Sequence, residues 1–301
     1  MTQDTRDPDP SLVTGASGYV GGFLIEELLR RDRRVRALAR KPERSPQPAG
    51  VDVRGGDAST GRGLREALDG CRTAYYLIHS MGKGADKSFA ARDREAAVNF
   101  GEAARDAGVE RVIYLGGLGP TGPEASEHLR SRHEVAELLR QRVPELVYVR
   151  AAMIIGQGSA SFDMLRHLVR RLPIMITPRW VDTRSQPIAI ADVVRALADV
   201  AERRSAPAEL QLGGADVLTY RDMMGRAATV LGRRRPKIVK VPVLTPSLSS
   251  HWVSLVTPVD TGLVRPLVDG LKSEMVVEQE PPAGLNDHPL GFEDAVRAAL
   301  P

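Results

Sequence analysis

The chain has 301 residues, 42% of them hydrophobic, and a formal net charge of +4 from 42 basic and 38 acidic residues. That is enough apolar material for one large core, or for a domain with a smaller lobe. Aromatic residues make up only 4% of the chain and do not alternate with basic ones, so nucleic-acid binding is not predicted. The apolar runs are too short to span a membrane and the first ten residues do not resemble a signal peptide, so we expect a cytoplasmic protein with no transmembrane segment.

Cysteine and histidine usage limits the chemistry of the chain. Cys71 is the only cysteine, which excludes an internal disulfide and a cysteine metal site. The six histidines show neither HxH nor HExxH spacing, so no metal site is predicted. Any redox function would therefore require an organic cofactor.

The first half of the chain alternates short β-branched runs with helical patterns. The strand-like runs are SLVTG, RVRALAR, TAYYLIHS, RVIYLGGLG and LVYVRAAMIIG. The helical patterns between them are YVGGFLIEELLRRD, GLREALDG, DREAAVNFGEAARDAG and EHLRSRHEVAELLRQ. This alternation predicts an α/β fold of the Rossmann type, in which crossover helices cover a doubly wound parallel sheet.

The first predicted strand runs directly into a glycine-rich turn, TGASGYVGG. Gly15, Gly18 and Gly21 are spaced GxxGxxG before a helix that carries Leu24 and Leu28 on one face. Glycine permits a sharp turn after a strand, and bare backbone N–H groups at the start of a helix can approach a pyrophosphate closely. A turn without a ligand is the alternative, but the surrounding strand and helix pattern favours a dinucleotide site.

The same stretch resembles the TGxxGxxG loop of the short-chain dehydrogenase/reductase superfamily, in its extended and atypical branches. Further matching stretches are GGDAS, YLIHSM, RVIYLGGLG, LRSRHEV, RAAMIIG and PIAIADV, which extend the resemblance over nearly the whole chain. The chain is most similar to the atypical, NmrA-like NAD(P)-binding proteins. Together with the glycine loop and the basic pair described next, the resemblance implies cofactor contacts from Gly15, Ser17, Gly18, Tyr19, Val20, Gly21, Arg40, Lys41, Asp57, Ala58, Leu77, Ile78 and His79.

The end of the second predicted strand bears on the choice between NAD and NADP. Sites that prefer NAD usually place an acidic residue there to bind the ribose 2′-hydroxyl. Here the sequence is RALARKP, and Arg40 and Lys41 would attract the 2′-phosphate of NADP. NADP(H) is the predicted cofactor, although the pair could also be two solvated basic residues. By the resemblance Asp57 and Ala58 flank the adenine, while a plain turn residue is the alternative for Asp57.

The usual catalytic pair of the resembled superfamily is absent. That pair is YxxxK on one helix, and none of the six tyrosines has a lysine four residues later. The matching helix instead carries His128 and Arg132, whose i, i+4 spacing places both side chains on one face. His128 could exchange a proton near neutral pH, with Arg132 lowering its pKa. Alternatively, His128 faces the cleft or solvent without reacting and Arg132 only holds ribose or phosphate.

Two further positions bear on catalysis. The fifth predicted strand ends in Gly116 and Gly117, where the resembled enzymes usually carry a Ser or Thr that orients the substrate carbonyl. The loop IHSMGKG offers His79, Ser80 and Lys83 as a second polar cluster near the nicotinamide, or simply a solvated loop.

After about residue 156 the alternation weakens and proline becomes frequent. We expect 1–156 to form the dinucleotide-binding domain, with 185–222 returning to it, and 157–184 and 223–301 to form a smaller C-terminal substrate lobe. Both tryptophans and many Val, Leu and Pro residues lie in the second half. This composition suits the wall of an apolar pocket, with His251 and Trp252 as candidate residues, but it also suits a small core or a dimer face.

The leading hypothesis is an NADP(H)-dependent oxidoreductase of the atypical short-chain type, with an apolar carbonyl, enone or quinone-like substrate. His128, Arg132 and His79 are its candidate catalytic residues. The alternative is a non-catalytic NADP(H)-binding redox sensor that acts through a protein partner, which the missing YxxxK pair supports. A nucleotide-sugar epimerase or dehydratase has the right fold but would need that pair. A homodimer and a regulatory partner both stay open.

Overall fold

The structure is a computed structural model that describes residues 9–79, 89–177, 179–240 and 270–300. Four candidate residues, Ser80, Lys83, His251 and Trp252, lie outside the described residues.

The described strands are β1 (Ser11–Val13), β2 (Val35–Ala39), β3 (Asp52–Gly55), β4 (Thr73–Tyr76), β5 (Arg111–Gly117), β6 (Glu145–Ala151), β7 (Ile154–Ile155), β8 (Ile174–Thr177), β9 (Arg184–Ser185), β10 (Ile188–Ala189), β11 (Glu209–Leu212), β12 (Leu218–Thr219) and β13 (Lys237–Lys240). The described helices are α1 (Tyr19–Arg30), α2 (Leu64–Leu68), α3 (Phe89–Asp106), α4 (Glu127–Arg140), α5 (Ala160–Arg171), α6 (Ile190–Glu202), α7 (Tyr220–Val230) and α8 (Phe292–Ala298).

Seven strands form one parallel sheet in the order β11-β6-β5-β4-β1-β2-β3. The chain winds outward from β1 in one direction through β2 and β3, and then in the other through β4, β5, β6 and β11. This confirms the predicted doubly wound Rossmann fold. The direction reverses between β1 and β4, where the following connections diverge and leave a crevice at the carboxyl ends of the strands.

Helices cover both faces of the sheet because each carries one apolar stripe. On one face, α1 and α6 pack together over the sheet through residues such as Leu24, Leu28, Val193 and Leu197. On the other face, α2, α3 and α4 bury a second set of apolar side chains. The strands between them are buried on both sides, as expected of a parallel sheet. Among the helices of the described residues, none combines the length and apolar character that a membrane crossing requires.

A separate apolar cluster lies beyond the carboxyl edge of the sheet. It is built from α5, α7 and α8 and includes Phe162, Met175, Met223 and Phe292. Helix α7 begins with a capping box in which Thr219 and Asp222 satisfy each other's backbone N–H groups. Because α6 and β11 belong to the main sheet and its covering layer, the chain leaves the main domain after β6 and returns to it. The exact domain boundaries remain a prediction.

Candidate functional site

A cleft of about 1570 Å³ runs along the carboxyl ends of the central strands. Its walls come from the turn after β1, the ends of β2, β4 and β5, and helices α4, α5 and α7. The sequence-predicted residues found in its lining are Gly15, Ser17, Gly18, Tyr19, Val20, Gly21, Arg40, Lys41, Asp57, Ala58, Leu77, Ile78, His79, His128 and Arg132. The fold therefore brings these fifteen residues to one cleft.

The glycine loop is compact because its glycines approach backbone atoms closely. Gly15 has φ +65°, a left-handed conformation that glycine adopts without strain. A Cβ atom at Gly21 would lie 2.3 Å from the Gly15 carbonyl oxygen. A Cβ atom at Gly15 would lie 2.7 Å from the carbonyl oxygen of Leu77, at the end of β4. A side chain at either position would push the start of α1 away from the sheet.

The start of α1 is suited to hold an anion. Gly18 is its N-cap and provides no capping side chain, and the first turn contains no acidic residue. Its backbone N–H groups and the positive end of the helix dipole are thus left for a ligand. Below the loop, the Thr14 hydroxyl donates to the Tyr75 carbonyl at 3.0 Å and accepts from the Leu77 N–H at 3.0 Å, which joins β1 to β4. This arrangement fits the pyrophosphate of a dinucleotide.

The outer end of the cleft is strongly basic. Arg40 and Lys41 follow β2, and a short 3₁₀ helix, Pro42–Arg44, then brings Arg44 to the same wall. Arg62, from the segment between β3 and α2, also lines the cleft, so four cations from this part of the chain border it. The sequence analysis predicted Arg40 and Lys41 at this site. It did not predict Arg44 or Arg62, which lie in two separate segments of the chain. Four cations at this position suit an additional phosphate on the adenosine ribose.

Asp57 shapes the turn next to this basic end. Its carboxylate accepts hydrogen bonds from the backbone N–H and the hydroxyl of Ser59, at 3.0 and 2.7 Å. The side-chain amide of Asn99 donates to the carbonyl oxygens of Ala58 and Ser59, and so ties this turn to α3. Asp57 therefore forms this turn and also lines the cleft. This position is compatible with both predictions made from the sequence, a turn residue and a residue that flanks the adenine.

His79, His128 and Arg132 form a polar group in the lining of the cleft. His79 follows β4, while His128 and Arg132 lie one turn apart on α4, whose N-cap Ser126 accepts from the Leu129 N–H. Arg132 is 6% exposed, His128 is half-buried, and His79 is exposed.

The surroundings of the two histidines favour their neutral forms. Burial, followed by the positive charge of Arg132 and the nearby His79, lowers the pKa of His128 to about 3. Burial and Arg132 also lower the pKa of His79. The sequence correctly anticipated the direction of the Arg132 effect, but burial is the larger cause. At neutral pH each imidazole has one donor and one acceptor nitrogen, and the positive charge of this group belongs to Arg132.

The structure explains the glycines at the end of β5. A Cβ atom at Gly116 would lie 2.6 Å from a ring carbon of Tyr148, which enters from β6. That ring stacks on Tyr114 with centroids 5.3 Å apart. Tyr148 therefore fills the space that a Ser or Thr side chain would need in the resembled enzymes. A carbonyl substrate here must be oriented by other groups.

The innermost part of the cleft is apolar and rich in methionine. Its lining includes Met153, Met164, Leu165, Leu168, Trp180, Tyr220, Met224, Leu271 and Met275. Trp180 meets the Tyr220 ring edge to face, with centroids 5.9 Å apart. The sequence analysis predicted an apolar wall near Trp180. It did not predict the four methionines of this lining, which come from α5, α7 and two separate loops. Flexible thioether side chains adapt to irregular apolar ligands.

The sequence pattern of a family described as NAD(P)H-binding matches residues 15–157. These residues form an NAD(P)H-binding domain. The chain is 28% identical to a ceramide reductase from Caulobacter vibrioides, over 83% of this chain and 81% of that protein. The expected resemblance to NAD(P)-binding proteins is confirmed for this domain.

Solved structures share the fold over almost the whole length. The triphenylmethane reductase of Citrobacter sp., complexed with NADP(H), superposes with a TM-score of 0.76 at 20% identity, covering 97% of this chain and all of that one (100%). An NADPH-dependent quinone oxidoreductase from Escherichia coli, complexed with NADPH, gives a TM-score of 0.72 at 19% identity, over 95% of this chain and 98% of that one. At these identities the likeness extends to the fold alone.

Two adjacent glycines test the geometry of the NAD(P)H-binding loop. Gly21→Ala should weaken NADPH binding at least about tenfold and lower the free energy of unfolding by about 1–3 kcal/mol, because its Cβ would collide with the Gly15 carbonyl. Gly22→Ala is the matched control, since a Cβ there meets nothing within 4 Å. This control should keep NADPH affinity and gain up to about 1 kcal/mol from helix propensity. Fluorescence titration and urea unfolding measure both effects, and equal behaviour of the two variants would contradict the assigned loop geometry.

The neutral histidines should make stability depend on pH. In the unfolded chain a histidine titrates near pH 6.5, whereas His128 in the folded protein titrates near pH 3. Between these values the unfolded state binds more protons, so stability falls as pH is lowered below about 6.5 and is unaffected above it. His128 contributes at most about 1.4 kcal/mol per pH unit to this loss. In urea unfolding at pH 7 and pH 5, His128→Gln should lose less stability than the wild type; equal losses would refute a depressed pKa.

Proposed function

We propose that the protein is an NADP(H)-dependent oxidoreductase of the atypical short-chain type that reduces a bulky apolar compound, with a quinone-like or enone acceptor preferred over a simple ketone. One observation carries this proposal. A single cleft joins the basic end near Arg40, the polar group of His79, His128 and Arg132, and the methionine-rich apolar end. These three surfaces suit, in turn, the phosphates of a dinucleotide, a reacting centre and an apolar substrate.

The basic end supports NADP(H) as the cofactor within the NAD(P)H-binding domain. Arg40, Lys41, Arg44 and Arg62 line it, and the end of β2 carries no acidic group that would bind a ribose 2′-hydroxyl and repel a 2′-phosphate. Bound NADPH would supply the hydride. The groups of this chain would hold the cofactor, exclude water from the inner cleft and stabilise charge on the acceptor.

The polar group determines which acceptors this site favours. An efficient general acid has a pKa near the working pH, and His128, with a pKa near 3, is almost fully neutral at pH 7. Its imidazole can donate a hydrogen bond to an oxygen that gains negative charge, while Arg132 stabilises that charge electrostatically. A neutral donor is sufficient where the product is a phenol-like anion, whose conjugate acid has a pKa of about 10 as in tyrosine. A simple alkoxide is far more basic and would need a true proton donor.

The apolar end supports a bulky substrate. Its methionine and leucine side chains offer contacts without directional requirements, and Trp180 with Tyr220 provides an aromatic wall. The similar proteins are named as a ceramide reductase, a triphenylmethane reductase and an NADPH-dependent quinone oxidoreductase, which supports a reductase acting on a small molecule.

The second candidate is an NADP(H)-binding redox sensor without catalytic activity. The position of Tyr148 favours it, because this ring occupies the place of the carbonyl-orienting Ser or Thr. The missing YxxxK pair favours it too. Such a protein would bind NADPH with the same preference but would show no turnover with any acceptor.

Cofactor preference is tested by reversing one charge at the basic end. Arg40→Glu should weaken NADPH binding at least about tenfold, equivalent to about 1.4 kcal/mol, and should leave NADH binding nearly unchanged, because only NADPH carries the 2′-phosphate. Arg65→Glu is the matched control, since Arg65 is exposed on α2 and lies outside the cleft lining. Titration of both nucleotides by nicotinamide emission gives the affinities. If wild-type protein bound NADH as tightly as NADPH, the NADP assignment would be wrong.

Catalysis is tested by following NADPH oxidation with quinones, enones and ketones of similar size. We expect measurable turnover with quinones or enones and much slower turnover with ketones. His128→Gln keeps a hydrogen-bond donor and should stay within about tenfold of wild type, whereas His128→Leu should lose about 100-fold in kcat. NADPH binding serves as the control for folding of both variants. Tight NADPH binding without oxidation by any acceptor would reject the enzyme and support the sensor.

A further inference from the structure

A short parallel ribbon, made of β8 and β13, presents an apolar face to solvent. Ile176 pairs with Val239 and Ile174 with Lys237 in the strand register, so these four side chains share one side. Ile174, Ile176 and Val239 are 57%, 54% and 50% exposed. The opposite side carries Met175 and Ile238, which pack against the second apolar cluster.

This concentration of exposed aliphatic side chains is local. Across the described residues, the exposed large hydrophobic side chains are these three and Val217. Three of the four therefore lie on one ribbon face only a few residues long. Single exposed apolar residues are ordinary, but a cluster on one face marks an interaction surface.

Basic residues surround this apolar face. Both strands are preceded by a basic run and a proline, Arg170-Arg171-Leu172-Pro173 before β8 and Arg233-Arg234-Arg235-Pro236 before β13. The strands are parallel, and the Lys237 N–H donates to the Pro173 carbonyl at 2.9 Å, so the two runs lie at the same end of the ribbon.

The charge of this region is predominantly positive. The arginines of both runs are exposed. Segments 164–177 and 223–240 together contain nine Lys and Arg residues and no Asp or Glu. Two of the nine are paired with carboxylates from outside these segments, Arg166 with Asp163 and Arg226 with Asp216 and Glu293, so the two basic runs supply most of the positive charge. The whole chain, by comparison, carries a net charge of only +4.

We propose that this ribbon face docks on an anionic lipid bilayer. Aliphatic side chains that enter the boundary between headgroups and acyl chains, flanked by Lys and Arg that contact anionic headgroups, are the combination that holds a protein on a membrane surface. A second copy of this chain fits less well, because two such faces would bring their arginines together. A nucleic acid would use the arginines but would gain little from three aliphatic side chains.

The position of the ribbon connects the bilayer to the cleft. Helix α5 lines the apolar end of the cleft with Met164, Leu165 and Leu168, and its last turn carries Arg170 and Arg171. The same helix thus lies against the cleft at one end and reaches the docking face at the other. Docking would place the apolar end of the cleft near the membrane, whether or not the protein is a catalyst.

Vesicle co-sedimentation of the full chain tests this proposal. The probes are vesicles of phosphatidylcholine alone and of an equimolar mixture of phosphatidylcholine and phosphatidylserine. Wild-type protein should bind the mixed vesicles and not the neutral ones, and added salt should weaken binding. Arg233→Gln with Arg234→Gln should lower the partition coefficient about 25-fold, at about fivefold for each basic residue near an anionic surface. Ile174→Gln with Ile176→Gln should also weaken binding, but without changing its salt dependence.

The control removes two exposed arginines elsewhere, Arg65→Gln with Arg204→Gln, and should bind like wild type. All variants change exposed side chains, and their NADPH affinity should match that of wild type. No binding of wild type to the mixed vesicles would overturn the proposal. So would equal losses in the control and the ribbon variants, because binding would then reflect overall charge. Loss of a dimer in Ile174→Gln with Ile176→Gln, seen by light scattering without vesicle binding, would assign the face to a second copy. Tighter binding to duplex DNA through the same arginines would assign it to nucleic acid.

Discussion

The site depends on how closely the backbone at Gly15 approaches its neighbours. The carbonyl oxygen of Gly15 accepts from the Gly18 N–H at 2.8 Å and leaves no room for a Cβ at Gly21. On the other side, Gly15 itself lies against the Leu77 carbonyl at the end of β4. These contacts fix the start of α1 at the point where the sheet reverses direction. The dinucleotide site, the polar group and the apolar end are all positioned relative to that point.

The cleft separates charge along its length. At the outer end, four cations reach into the lining from flexible, largely exposed side chains, which suits a strongly hydrated phosphate. In the polar group, Arg132 is 6% exposed and lies beside two histidines whose pKa values are lowered by burial and by that same charge. Burial strengthens the field of Arg132 and at the same time disfavours a proton on the half-buried His128. The inner site is therefore better suited to stabilise negative charge than to deliver a proton.

Much of this arrangement can be predicted from the sequence, because it follows from local patterns. The alternation of strand and helix patterns predicts the sheet, and GxxGxxG predicts the loop. Arg40 comes at the end of the second predicted strand, so its position at the carboxyl end of the sheet is predicted as well. The i, i+4 spacing predicts that His128 and Arg132 share a face. What could not be predicted depends on contacts between distant segments.

Gly116 is the clearest example, since its meaning depends on Tyr148, which enters from the neighbouring strand. From the sequence alone, Gly116 and Gly117 indicate the loss of a Ser or Thr that would orient the substrate carbonyl. In the structure, the ring of Tyr148 fills the space beside Gly116. Arg62 and Met164 reach the cleft from segments whose local patterns indicate only a turn and an amphipathic helix. The pairing of β8 with β13 joins residues more than 60 positions apart, and each strand is only four residues long. Hydrophobic periodicity within the sequence therefore cannot predict that these two strands pair.

Average composition also hides the distribution of charge in space. A net charge of +4 on a chain of this size gives no reason to expect an anionic surface as a partner. Once β8 and β13 pair, however, two separate basic runs become one patch beside three exposed aliphatic side chains. The same helix that carries Arg170 also lines the apolar end of the cleft, so the surface suited to a bilayer and the pocket suited to an apolar molecule share one element. Substrates that partition into lipid are dilute in water and concentrated at the membrane. An enzyme held there by this ribbon would meet its substrate at that higher local concentration without needing tighter contacts inside the cleft.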